Sequence, residues 1–246
     1  MWLFEGDGFS AALRMLHVIA GVMWMGLLWF FNVVQTPAYA EMEPGARNNA
    51  FDKLTWRALW WFRWAAMATL AFGVLIIGQR PKVYDADYFQ TPAGSVLLLG
   101  IVFGIIMFLN VWLVIWPAQQ QVIANARNVQ AGGEADPGAA AAARRGALAS
   151  RQNTIFSLPL LVFMVGASHF YSSRHWVAEA DGSDLAVWYI VGLAIAGLME
   201  ANALGLLGGT AAGGARTIYD THRNAIITGV VLIVVLYLLS EGLFKA

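Results

Sequence analysis

The chain has 246 residues, of which 59% are hydrophobic and only 12% charged, at a mean hydropathy of +0.60. Soluble domains carry about twice that charge, so with eleven tryptophans the composition belongs to a bilayer. Fifteen basic residues balance fifteen acidic ones, which leaves no basic face for nucleic acid, and the lack of cysteine excludes disulfides, thiolate metal sites, iron–sulfur clusters and covalent c-type haem.

Six apolar segments run over about 10–33, 56–78, 95–117, 153–173, 185–208 and 223–244. Each is long enough to cross ~30 Å of hydrocarbon as a helix, and continuous apolar runs without two-residue alternation exclude a barrel. The expected fold is therefore all-α, one polytopic transmembrane bundle of six spans occupying residues 1–246. Lys and Arg in the first, third and fifth connections outnumber those opposite by nine to five, which predicts that both termini are extracytoplasmic. The expected location is the bacterial inner membrane.

The first span carries Arg14 and His17. Ala38-Tyr39-Ala40 resembles a signal-peptidase site, but Glu5 and Asp7 stand where positive charge is needed and the apolar run is too long, so a retained helix is expected, stopped by Thr36-Pro37. In the second span four tryptophans within Trp56–Trp64 form an interfacial belt, with Arg57 and Arg63 snorkelling to water. The third has Gly100-x-x-x-Gly104, a spacing for close helix contact, and should end near Trp116-Pro117.

Residues 118–150 form the longest connection, a cytoplasmic loop broken at Gly132–Gly138 and closing in a short alanine-rich helix. Pro159 should kink the fourth span. The stretch Gly208–Gly214 reads as a flexible loop; no Lys-Ser/Thr follows, so it is no phosphate loop. No internal repeat of the kind that builds inverted-repeat transporters is evident.

Ionisable groups within spans are costly and are functional candidates. In this topology His17 lies roughly 10 Å from the outer end of the first span and His169 roughly 6 Å from that of the fourth. Two imidazoles at comparable depth on different helices suit the axial ligands of a non-covalent b-type haem. Each could equally be a histidine bonding a neighbouring helix. Arg14, three residues before His17 on the same face, and Arg174 could take propionates or an anionic substrate. Glu200 in the fifth span needs a partner; by depth that partner is Arg63, with a proton-transfer role as the alternative. Asn32, Asn110, Asn153 and Asn202 fall in the same inner half.

The strings LHVIAGVMWMGLLWFFNVVQTP (16–37), RALWWFRWAAM (57–67), GIVFGIIMFLNVWLVIWPAQQ (100–120) and ALASRQNTIFSLPLLVFMVGASH (147–169) resemble the membrane domain of bacterial membrane-bound urate oxidases, or urate hydroxylases. The resemblance implies oxidation of urate or a related purine, with electrons passed to a cytochrome c. In that family a cytochrome c domain usually follows the membrane part; this chain stops after its last helix, so the expected acceptor is a separate cytochrome c or another redox subunit. The opening helix also looks like haem-binding membrane oxidases of porphyrin metabolism and copper-resistance membrane proteins. Two other classes stay open: a non-enzymatic haem-bearing anchor or electron-relay subunit, which the absent cytochrome domain favours, and a small-molecule transporter, suggested by Glu200 and the asparagines.

Overall fold

The computed structural model describes residues 6–79, 83–169, 171 and 178–244. Six long helices are each long and apolar enough to cross a membrane: α1 (Gly6–Glu41), α2 (Pro44–Gly78), α3 (Pro92–Gln130), α4 (Ala139–His169), α5 (Gly182–Ala203) and, after the short α6 (Thr217–Asp220), α7 (His222–Phe244). The protein is an all-α, multi-pass membrane bundle.

The first and third spans do not stop at their prolines. Each passes through a π-helical turn, Phe30–Gln35 in α1 and Asn110–Ile115 in α3, and then continues as α-helix. The Thr36 amide reaches back five residues to the Phe31 carbonyl, and the Trp116 amide to Val111. The α-ladder restarts there, so Pro37 and Pro117 fall in a first turn, where a missing N–H costs little. A third π-turn, Phe51–Thr55, joins the start of α2 to its span. Residues 118–150 accordingly form no separate loop. They are the end of α3 and the start of α4, joined by a turn at 131–138.

That turn is fastened by Asp136, which accepts from Gln121 Nε2 at 2.8 Å and from the Gly138 N–H at 2.7 Å. These two hydrogen bonds hold its carboxyl below the usual carboxylate range.

α4 is the central helix: Gln152 to Ser157 are buried on every side. α3 crosses it at Gly100 and Gly104, where an added Cβ would come within 3.2 Å of Phe163 Cβ and 3.4 Å of Leu160 Cδ1. Phe103 stacks on Phe156 at 4.5 Å. On another flank Gly229 of α7 leaves no room, since a Cβ there would lie 2.5 Å from Leu158 Cδ1 and 3.0 Å from the Ile155 carbonyl. Small residues that let backbones approach are how helices pack where lipid removes the hydrophobic drive. α5 joins through Trp188, which donates to the Ser95 carbonyl and packs on Phe163.

α1 pairs along its length with α2, from Ser10–Gln79 to Gly21–Thr69. It is tied to α4 at Trp29 Nε1→Ser157 Oγ (3.2 Å) and Asn32 Nδ2→Ser150 Oγ (2.8 Å). Helices neighbouring in sequence run antiparallel, so Gly6 and Phe244 lie on one face, the termini face, and the 131–138 turn on the other. The glycine-rich stretch Gly208–Gly214, expected to be flexible, is pinned on this turn face together with its flanks. Arg144 donates to the Thr210 carbonyl and to Asp220, Asp220 accepts the Gly213 N–H, and Arg216 reaches the Leu207 carbonyl.

Candidate functional site

His17 is half-buried on α1, its Nδ1 2.9 Å from the Thr69 carbonyl of α2. A carbonyl only accepts, so Nδ1 carries the proton and Nε2 presents its lone pair. The ring lies over Gly73, where even a methyl group would come within 3.2 Å of Cε1. His169 is exposed near the end of α4, its Nδ1 3.0 Å from the Val165 carbonyl. It shares an uncovered stripe with Leu161 and Val165, 41% and 50% exposed. From the Trp29–Ser157 contact, twelve residues lead to each histidine along its own helix, which puts both about 18 Å towards the termini face. The two share a height. His17 turns towards α2, and the hydrogen bonds from α1 to α4 lie lower, at Trp29 and Asn32. Arg14 is exposed and donates to the Tyr84 hydroxyl at 3.2 Å; Arg174 lies outside the described residues.

The expected Glu200–Arg63 ion pair is replaced by two separate arrangements. Glu200 Oε2 accepts from Asn110 Nδ2 at 3.0 Å; the same nitrogen donates to Asn153 Oδ1 at 3.0 Å, and Asn153 Nδ2 donates to the Met107 carbonyl. Instead of snorkelling, Arg63 lies over Trp116 and Trp112, 3.8 and 4.8 Å from the ring centroids. The reason is the helix between them: α3 turns its tryptophans to α2 and Asn110 to α4 and α5. Asn32 and Asn202 bond elsewhere, to Ser150 and to the Ala215 carbonyl, so of the four asparagines only Asn110 and Asn153 meet.

Sequence reasoning missed a polar cavity of about 170 Å³ towards the turn face. Asn32 and Gln35 of α1, Thr55 of α2, Gln119 of α3, and Ser150 and Arg151 of α4 all line it. Tyr39 and Thr55 hydroxyls lie 2.7 Å apart, and Thr55 donates to Gln35 Oε1 at 3.3 Å. Arg151 spends one Nη on the Tyr219 carbonyl, and the buried Gln119 Oε1 has no partner among the described residues. A signal was present: Asn-Val precedes a proline inside each of two apolar runs, FFNVVQTP and FLNVWLVIWP, and a proline that fails to end a helix implies a local change of hydrogen-bond register. Beside Arg151, the fully buried Gln152 has neither amide atom hydrogen-bonded among the described residues.

Residues 82–179 match the model of the Urate oxidase N-terminal family. The matched stretch takes in all of α3 and α4 and most of the connection after α4, and so includes Asn110, Gln119, Arg151 and His169. No curated protein and no solved structure matches the chain.

Proposed function

We propose that this protein is a membrane redox protein of urate-oxidase type, which oxidises urate or a related purine and passes the electrons through a non-covalent haem b to a cytochrome c. The family match over residues 82–179 carries the purine half of this reading. In hydroxylation of the purine, water supplies the oxygen, two protons are released and two electrons leave singly, one to each of two cytochrome c molecules.

His17 would hold the haem iron through Nε2, a reading its hydrogen bond to Thr69 supports. Donation of Nδ1–H to a backbone carbonyl orients the ring and leaves Nε2 for iron, the usual outer-shell arrangement of a ligating histidine. Gly73 keeps that edge of the ring close to α2. His169, at the same height on α4, is the proposed second ligand, with Arg14 and Arg174 as cations for the propionates. Haem, when bound, would accept and release single electrons between a two-electron donor and a one-electron acceptor.

The test is an optical spectrum of the purified, haem-replete protein, oxidised, dithionite-reduced and urate-reduced. A b-type spectrum reduced by urate, and lost in His17→Ala and His169→Ala, is the expected result. Full haem in both variants would sink the ligand assignment. Haem that dithionite but not urate reduces would instead make the chain a relay subunit.

A further inference from the structure

A π-turn widens a helix by one residue, shifts its hydrogen bonds and re-aims its side chains, and such turns gather at functional sites. Here three of them, on three different helices, face one cavity: Asn32 and Gln35 come from the first, Thr55 from the second and Ile115 from the third. Packing alone does not require that coincidence. The cavity holds roughly ten times the space that one water position needs, enough for a flat bicyclic molecule.

Its walls define the molecule. Phe31, Leu59 and Ile115 offer apolar surface for a ring. Arg151 is the only charged residue among the described lining groups, and its guanidinium retains donors beyond the one given to Tyr219. Gln35 Oε1 is taken by Thr55, and its amide nitrogen has no acceptor among the described residues. Conversely, Asn32 uses its nitrogen on Leu28 and Ser150, leaving Oδ1 as an acceptor, and Gln119 Oε1 is unpartnered. The cavity thus offers both donors and acceptors beside one positive charge. A cation is repelled, a dianion is under-compensated, and a hydrocarbon would leave the amides unpaired at a cost of about 1–3 kcal/mol for each group.

We infer that this cavity binds a planar heterocyclic monoanion bearing lactam N–H and C=O groups. Arg151 holds its negative edge as a planar fork, while Gln35, Asn32 and Gln119 read its carbonyls and N–H groups. Naming urate as the natural instance rests on the reading proposed above; the cavity chemistry does not.

Equilibrium dialysis of the full chain in detergent, with labelled urate and with orotate as an unrelated lactam anion, tests this. Arg151→Gln should weaken binding roughly 30- to 100-fold, the scale of a charge-assisted contact. Arg151 also supports Tyr219, so Gln119→Leu is the second variant. It removes an unpartnered buried atom, should melt no lower than the parent, and should weaken binding about tenfold, the scale of one neutral hydrogen bond. Loss of both ligands' binding in both variants supports the site and the urate instance together. Orotate bound and lost in the variants, with urate never bound, keeps the site and removes urate. Urate held equally by the parent and both folded variants overturns the cavity and leaves the urate reading standing. A parent that binds neither overturns the cavity.

Discussion

Replacing Asn110 by Leu tests the polar core most directly. Asn110 is 2% exposed, and its amide nitrogen donates at 3.0 Å to both Asn153 and Glu200. Leucine keeps most of the volume and strands two acceptors where no water competes. By soluble-protein measures a stranded buried acceptor costs about 1–3 kcal/mol, whereas polar contacts between membrane helices average nearer ~0.6 kcal/mol, because loosened helices find other partners. The expected loss is therefore about 1.5–4 kcal/mol, measured as unfolding free energy by SDS titration in mixed micelles with tryptophan fluorescence as the readout. Glu200→Leu in the same background removes one stranded acceptor, so the double variant should lose less than the two single losses added together, by at least about 1 kcal/mol. Asn110→Leu within 0.5 kcal/mol (roughly the error of such measurements) of the parent, or strict additivity, would refute the network.

Gly229→Leu forces a side chain against Leu158 and the Ile155 carbonyl and should cost about 1–3 kcal/mol in the same titration; an unchanged midpoint would mean that α4 and α7 do not pack as described. Gln152→Met deletes two unsatisfied buried atoms and should stabilise the protein by about 1–3 kcal/mol, while a loss of that size would show that water or a bound group satisfies Gln152. Gly73→Leu displaces the His17 ring, so haem content should fall as in His17→Ala, with the melting point as the control for folding. Burial alone would raise the Asp220 carboxyl, yet hydrogen bonds from Arg144 and the Gly213 N–H, with the charges of Arg144 and Arg151, hold it below the usual carboxylate range. A depressed pKa stabilises the fold above the unfolded-state value and is lost as pH falls through the folded one. Stability should therefore decline below about pH 4, and Asp220→Asn should flatten that decline; an unchanged acid limb would show that the Arg144–Asp220 pair carries none of it.

What the chain made legible was what hydropathy counts and small-residue spacing measure. The six spans, and the close approach at Gly100 and Gly104, follow from one-dimensional pattern. The helix ends near Pro37 and Pro117 do not, because a π-turn is a change of hydrogen-bond register that tertiary packing selects and composition does not encode. Depth alone put Glu200 opposite Arg63, but depth says nothing of which helix stands between two others; α3 does, and it satisfies the cation with indole faces and the carboxylate with an amide. The cavity was illegible for a similar reason. Its polar groups come from four helices, and each reads singly as an interfacial residue. The histidines were visible as residues, whereas the backbone carbonyls that set their tautomers were not.

The unbroken helices also distribute mass unevenly. α1, α2 and α3 are 36, 35 and 39 residues long, or about 53–58 Å, against ~30 Å of hydrocarbon. α5 and α7, with 22 and 23 residues, barely exceed that thickness. On the turn face α1 carries six residues beyond its π-turn, α2 seven before its own and α3 fifteen beyond its own, or about 9, 10 and 22 Å of further helix. The helical mass is therefore weighted towards the turn face, and the polar chamber lies at the level of the π-turns. With the apolar spans centred in ~30 Å of hydrocarbon, a solute would reach that level from the aqueous phase without dissolving in lipid.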